Sequence, residues 1–152
     1  MEKLTLERIE TLHPRVRSQV KEILEELELP DNVQVRITQA LRTFKEQDGL
    51  FAQGRTKPGS KVTNAAGGES IHNYGLAFDY ALLIDTKISW KVDENWKKVA
   101  QAFKAKGWTW GGEWKSIKDY PHLENTFGYT WQKLLEKYKK GDFIKGTQYV
   151  NL

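Results

Sequence analysis

The chain has 152 residues, no cysteine, 24 basic against 20 acidic residues and a formal net charge of +4. That length suits one domain with its own core, and the missing cysteines exclude structural disulfides and thiolate metal sites. The mild positive charge favours anionic surfaces without naming one. No apolar stretch reaches the length of a membrane span, and Met1 to Glu10 lacks the apolar core of a secretory signal.

Leu12, Val16, Val20, Ile23, Leu24 and Leu27 recur at helical spacing and predict an amphipathic helix from His13 to Glu28, stopped by Pro30, Asp31 and Asn32. His13, just before Pro14, is expected to cap this helix or pack at the surface. Val33, Val35 and Ile37 alternate with Gln34, Arg36 and Thr38, the pattern of a half-buried strand. Thr43 with Glu46 forms a capping box for a short helix over Phe44 to Phe51. Gln53 to Ser70 is rich in Gly, Ser, Thr, Asn and Lys and reads as a long loop of the kind that often carries function.

Leu76 to Ile84 reads as a central strand in spite of Asp79 in its middle. Asp93 caps a helix with an apolar face of Trp96, Val99, Ala100 and Phe103, closed by Gly107. Trp108 to Trp110 is a short strand ahead of Gly111 and Gly112, and His122 to Glu124 is another. Trp110 and Trp114 flank the glycine pair and are candidates to line a cleft. Thr130 caps a last helix through Trp131, Leu134, Leu135 and Tyr138, ended by Gly141. The tail from Asp142 to Leu152 either packs back as a small strand or stays loose. Helices around a small antiparallel sheet make the fold class α+β, without the regular alternation of a doubly wound fold.

The polar chemistry gathers in two places. His72 precedes the Asp79 strand, and Asp119 and His122 bracket Tyr120 and Pro121. Two imidazoles and one carboxylate suffice for a catalytic zinc with one open position. An aspartate inside an apolar strand is costly unless paired, hydrogen bonded or metal bound. The residues alone leave two readings open, a metal site or a buried His72–Asp79 pair. The helical zinc motif His-Glu-x-x-His does not occur. Asp119, three residues before His122, is close enough to reach water at such a metal. Arg42, at the end of the first strand, is either a surface ion-pair residue or a donor for a substrate oxyanion or carboxylate. Lys133, Lys137, Lys139, Lys140 and Lys145 form a local positive excess. It reads as a solvated helix face, with an anionic polymer as the alternative partner.

These residues resemble those of the family that holds zinc D-alanyl-D-alanine carboxypeptidases and L-alanyl-D-glutamate endopeptidases of bacterial cell wall and phage lysis. The family pattern Ser-x-His-x-x-Gly-x-Ala-x-Asp is filled by Ser70, His72, Gly75, Ala77 and Asp79. The later carboxylate-x-x-His element is filled by Asp119 and His122, followed by Leu123 and Glu124. Leu123 stands where many members carry phenylalanine. Further matches run in order from Leu12 to Trp131, including Thr38 to Phe44 and Trp110 to Trp114.

The resemblance implies Zn2+ held by His72, Asp79 and His122, Asp119 as general base and Arg42 facing the substrate. It implies a small antiparallel sheet with a shallow cleft, and hydrolysis of the peptidoglycan stem peptide, nearer to the L-alanyl-D-glutamate branch than to the carboxypeptidase branch. The expectation is one catalytic domain over residues 1–152, with no separate wall-binding domain. A monomer is expected, with no nucleic-acid partner and no stable membrane insertion. A phage-encoded chain would wait in the host cytoplasm for a holin-type release partner; a bacterial one would reach the wall by another export route.

Overall fold

A computed structural model describes residues 1–152. Along the chain come α1 (Lys3–Ile9), α2 (Pro14–Glu26), β1 (Val33–Gln39), α3 (Phe44–Ala52), a 3₁₀ turn (Ile71–Tyr74) and β2 (Ala77–Ile84). There follow β3 (Lys87–Ser89), α4 (Glu94–Lys104), β4 (Thr109–Trp110), a second 3₁₀ turn (Gly111–Glu113), β5 (His122–Glu124) and α5 (Trp131–Lys139).

The apolar run that contains Asp79 is the central strand of an antiparallel sheet ordered β1-β2-β5-β4. Its first half pairs with β5, matching Ala77 with Glu124, Phe78 with Leu123 and Asp79 with His122. Its second half pairs on the same side with β3. Side chains alternate across a strand. Phe78, Tyr80 and Leu82 therefore share one face, and all three are fully buried. The Phe78 ring meets Phe103 of α4 edge-on at 5.2 Å, and the Tyr80 ring lies 4.7 Å from that of Trp96 on the same helix. Val16, Val20 and Ile23 of α2 complete this core. Asp79 lies on the opposite face, beside Ala77 and Ala81. The fold is α+β, as the sequence predicts.

Two elements escape the sequence pattern. The first is α1, whose buried residues are only Thr5 and Ile9. It is held by tertiary contacts rather than by an apolar stripe. Thr5 Oγ1 accepts the Ile37 N–H at 3.1 Å, Arg8 donates to the Ile37 carbonyl at 2.6 Å, and Arg36 makes a two-pronged contact with Glu2 at 2.8 and 2.9 Å. The helix thus satisfies an edge of β1 that would otherwise be open to pairing. The second is β3, reached through a tight turn at Asp85 and Thr86, both with positive φ (50° and 68°). Hairpin turns of that form usually carry glycine or asparagine, so the sequence sends no turn signal.

His13 caps α2 as expected, its Nδ1 accepting the Arg15 N–H at 3.1 Å, but it is buried rather than at the surface. Its Nε2–H donates to the Val150 carbonyl at 2.8 Å, which fixes the neutral tautomer, and burial pushes its pKa down. Val150 itself is buried, so the tail packs back onto the body. The C-terminal lysines are less free than their number suggests. Lys137 pairs with Asp142 at 3.0 Å, Lys140 with Glu136 at 2.9 Å, and Lys133 approaches the same Glu136 at 3.8 Å. No helix is long and apolar enough to cross a membrane.

The turn before β2 depends on Gly75. It adopts φ 70°, its carbonyl accepts the His13 N–H at 2.9 Å, and a Cβ there would lie 2.5 Å from that same nitrogen. Gly141 has the same φ with open space around it. A left-handed alanine costs about 1–2 kcal/mol. Gly141→Ala should lose about that much, and Gly75→Ala clearly more, in denaturant unfolding. Equal losses would show that the close approach to His13 does not matter.

Candidate metal centre

His72 is set by the turn that precedes β2. Ser70 Oγ accepts the His72 N–H at 3.3 Å, and Asn73 Oδ1 accepts the N–H groups of Gly68 and Ser70 at 3.0 and 3.2 Å. Asn73 Nδ2 donates to the Arg42 carbonyl at 2.9 Å, and the Arg42 N–H donates to the His72 carbonyl at 3.1 Å. This lacing ties the Ser-x-His-Asn turn to the segment leaving β1. The β1–β2 register breaks between Ile37 and Gln39, opposite Asp79, as irregularities beside functional sites commonly do. Past that break the Ala40 carbonyl accepts from His72 Nδ1 at 3.0 Å. A carbonyl can only accept, so Nδ1 carries the hydrogen and Nε2 presents a lone pair.

His122 arrives by sheet register, directly opposite Asp79. Its Nε2 meets Glu124 Oε1 at 2.7 Å, leaving Nδ1 to face inward. Asp79 Oδ1 then lies 3.3 Å from His72 Nε2 and 3.4 Å from His122 Nδ1. That oxygen is buried and has no properly directed hydrogen bond. Ligand atoms from the three residues all lie within 4.8 Å of one another. Tetrahedral bonds of about 2.0–2.1 Å would hold neighbouring ligand atoms about 3.3–3.4 Å apart. The orphaned oxygen, the two inward-facing imidazole nitrogens and this spacing all fit a divalent cation. Each imidazole also has an acceptor on its far nitrogen, the support that metal-bound histidines require.

Electrostatics in the metal-free protein agree. Burial raises the Asp79 pKa, but the two facing imidazoles outweigh it and hold the carboxyl below its ordinary range. Burial disfavours a charged His122, yet Asp79 and Glu124 together raise its pKa to about 9. Asp119 is shifted the other way, upward, by burial and by the negative charge of Asp79. Its Oδ2 lies 3.9 Å from His122 Nδ1.

These groups open onto a cleft of about 340 Å³, whose wall also includes Arg42, Leu50, Val62, Thr63 and Ser70. Arg42 donates to Gln47 Oε1 at 2.9 Å, while its buried Nε has no partner. The fully buried Gln47 in turn donates to the Ala65 carbonyl at 2.9 Å, coupling Arg42 to the polar loop. Trp114 covers His122, ring centroids 5.1 Å apart. Trp110 is buried and does not line the cleft. The structure therefore gathers all five candidates, Arg42, His72, Asp79, Asp119 and His122, into one cleft. The support from Glu124 was readable from strand alternation, since residues 122 and 124 share a face. The support from Ala40 and Gln47 was not.

Comparison with known proteins agrees with this geometry. The D-alanyl-D-alanine carboxypeptidase family model matches residues 63–125, the span that holds all but Arg42. The chain is 47% identical over 122 residues to the peptidoglycan L-alanyl-D-glutamate endopeptidase CwlK of Bacillus subtilis (strain 168), covering 74% of this chain and 72% of that protein. The chain belongs to this peptidase family. It is also 29% identical over 103 residues to the L-alanyl-D-glutamate peptidase of Listeria phage A118, covering 65% of this chain and 33% of the phage protein. The crystal structure of the Serratia marcescens L-Ala D-Glu endopeptidase ChiX shares the fold, with a TM-score of 0.60 at 22% identity over 84% of this chain and 90% of that one. Family membership and the His–Asp–His cluster make the chain a metallopeptidase.

A metal ligand must be a neutral imidazole, so binding should expel the His122 proton. Affinity should rise with pH until about 9, and calorimetry near neutral pH in buffers of different ionisation heat should show about one proton released per ion. Glu124→Gln should weaken metal binding about 10- to 100-fold. A pH-independent affinity, or full affinity in Glu124→Gln, would contradict this account of His122.

Proposed function

We propose that this chain is a zinc endopeptidase that cuts the bond between L-alanine and D-glutamate in the stem peptide of peptidoglycan. The observation that carries the chemistry is the buried Asp79 oxygen facing two imidazole nitrogens beside a half-exposed Asp119. The choice of bond is supported by the L-alanyl-D-glutamate peptidase activity of the Bacillus and phage relatives.

His72 would bind the ion through Nε2, His122 through Nδ1 and Asp79 through Oδ1. The two histidines and one carboxylate favour zinc, an ion that bonds readily to both nitrogen and oxygen. Once bound, it supplies Lewis acidity toward the scissile carbonyl and makes water a stronger acid. Asp119 takes a proton from the attacking water and passes it to the leaving amine of D-glutamate. Its raised pKa suits a group that must both accept and release a proton. Arg42, held by Gln47 and lining the same cleft, would bring its guanidinium charge to the oxygen that gains charge as the carbonyl becomes tetrahedral. Val62 and Thr63 bring the polar loop to the rim, where the extended peptide would lie.

Asp119→Ala should retain zinc and fold but lose about 10²–10⁴ in kcat, whereas His72→Ala and His122→Ala should lose metal and activity together. Near-normal turnover by a zinc-loaded Asp119→Ala protein would reject the base. Mass spectrometry of digested peptidoglycan should find new amino groups on D-glutamate and intact sugar chains. Release of free D-alanine alone would move the protein to the carboxypeptidase reaction, and no stem-peptide cleavage at all would reject the proposed substrate.

A further inference from the structure

Asp119 sits in a segment with little structure of its own. Lys115, Ser116, Ile117 and Lys118 are all exposed, and no helix or strand spans 115–121. Something outside the segment must hold the carboxylate in place.

The Tyr120 carbonyl, one residue beyond Asp119, accepts two hydrogen bonds from indole N–H groups. Trp96 Nε1 donates at 3.1 Å and Trp110 Nε1 at 2.7 Å. A carbonyl has two lone pairs, and both are used here. The donors stand on different elements, α4 and β4. Both indoles are themselves fixed. Trp96 is fully buried against the Tyr80 ring, and its own carbonyl accepts from the Tyr80 hydroxyl at 3.0 Å. Trp110 is held in register opposite Leu123.

Neighbouring contacts extend the clamp in both directions. The Pro121 carbonyl accepts the Tyr80 N–H at 3.0 Å. The Asp119 N–H donates to the Gly111 carbonyl at 2.9 Å, and the His122 N–H donates back to the Asp119 carbonyl at 3.2 Å. Residue 111 must be glycine for this approach, because a Cβ there would collide with the Asp119 carbonyl oxygen.

We infer that Trp96 and Trp110 are positioning residues for Asp119, acting through the Tyr120 carbonyl to aim the base relative to the metal ligands. The inference rests on the role proposed above for Asp119. A buried indole needs an acceptor somewhere, so two core tryptophans are not notable in themselves. Their convergence on one carbonyl, that of Tyr120, in the short stretch between base and ligand is what assigns the function. A misplacement of about 1 Å at a reacting group costs on the order of a hundredfold in rate. Losing one donor should therefore show in kcat more than in KM or in metal content.

The test replaces tryptophan at 96 or at 110 with β-(3-benzothienyl)alanine, which keeps the ring shape and exchanges the N–H for sulfur. Trp110→Phe serves as a second variant. Amide hydrogen exchange at Asp119 and His122 in the zinc-loaded protein is read first, because it needs no substrate. It should accelerate about tenfold or more while the β1–β2 ladder stays protected and zinc content is unchanged. With a synthetic stem peptide, kcat should fall about 10- to 100-fold and KM should stay within about twofold. Unchanged exchange at both amides overturns the clamp, whether or not the parent protein cleaves stem peptides. Faster exchange with an unaltered kcat overturns the link to Asp119. A parent protein inactive on stem peptides would refute the proposed substrate, and the exchange result would still decide the clamp.

Discussion

The Asp79 carboxylate, standing in the middle of a strand otherwise made of apolar side chains, is the constraint around which the structure is arranged. A buried carboxylate without compensation is expensive, and its Oδ1 has no properly directed hydrogen bond. It is offset because two imidazoles from separate segments of the chain face it at 3.3 and 3.4 Å. One of them depends on sheet register. Side chains alternate, so slipping β5 by a single residue would turn His122 to the helix-packed face and bring Leu123 to the site. A register of three pairs would be weak protection by itself. It is reinforced by β4 on the outer edge of β5 and by the Tyr80 N–H holding the Pro121 carbonyl just before it.

The charge around Asp79 explains why the metal-free and metal-bound forms would share one geometry. Asp79 and Glu124 both approach His122, and their combined field keeps the imidazole protonated up to about pH 9. That proton supplies positive charge where a divalent cation would otherwise supply it. The site can therefore assemble during folding before any ion arrives. On metal binding the proton would leave, and Glu124 would still hold Nε2–H. His72 needs less help, because a neutral carbonyl, that of Ala40, already fixes its tautomer.

The fold and the clustering of His72, Asp79 and His122 were largely legible because they are written in periodicities and in one dense motif. Alternation located β1, helical spacing located α2, α4 and α5, and the misplaced carboxylate at 79 pointed to the site. What escaped was written in contacts. α1 has too small a buried face to show a stripe, and it exists because the edge of β1 needs donors and acceptors at Ile37. The turn at Asp85 and Thr86 carries no glycine. Gln47 looks like an ordinary polar helix residue until its burial between Arg42 and Ala65 is seen. His13 looked superficial because a helix cap usually is, and only the returning tail buries it. The docking of α1 and the burial of His13 depend on residues tens of positions apart, which no local pattern encodes.

The two faces of β2 divide the work and are also mechanically joined. On one face Phe78, Tyr80 and Leu82 are fully buried, Phe78 and Leu82 each contributing about 1.5–3 kcal/mol relative to exposure. This supports the polar cost of Asp79 on the other face. Ala77 and Ala81 are small, which leaves space beside the carboxylate for the imidazoles. The joint lies at Tyr80. Its ring packs on Trp96, its hydroxyl donates to the Trp96 carbonyl, and its N–H holds Pro121. Trp96 then reaches back to the Tyr120 carbonyl. A core aromatic pair thereby grips the loop that carries Asp119 and leads into His122 of β5. Loosening the apolar face would consequently be felt at the base before the fold is lost.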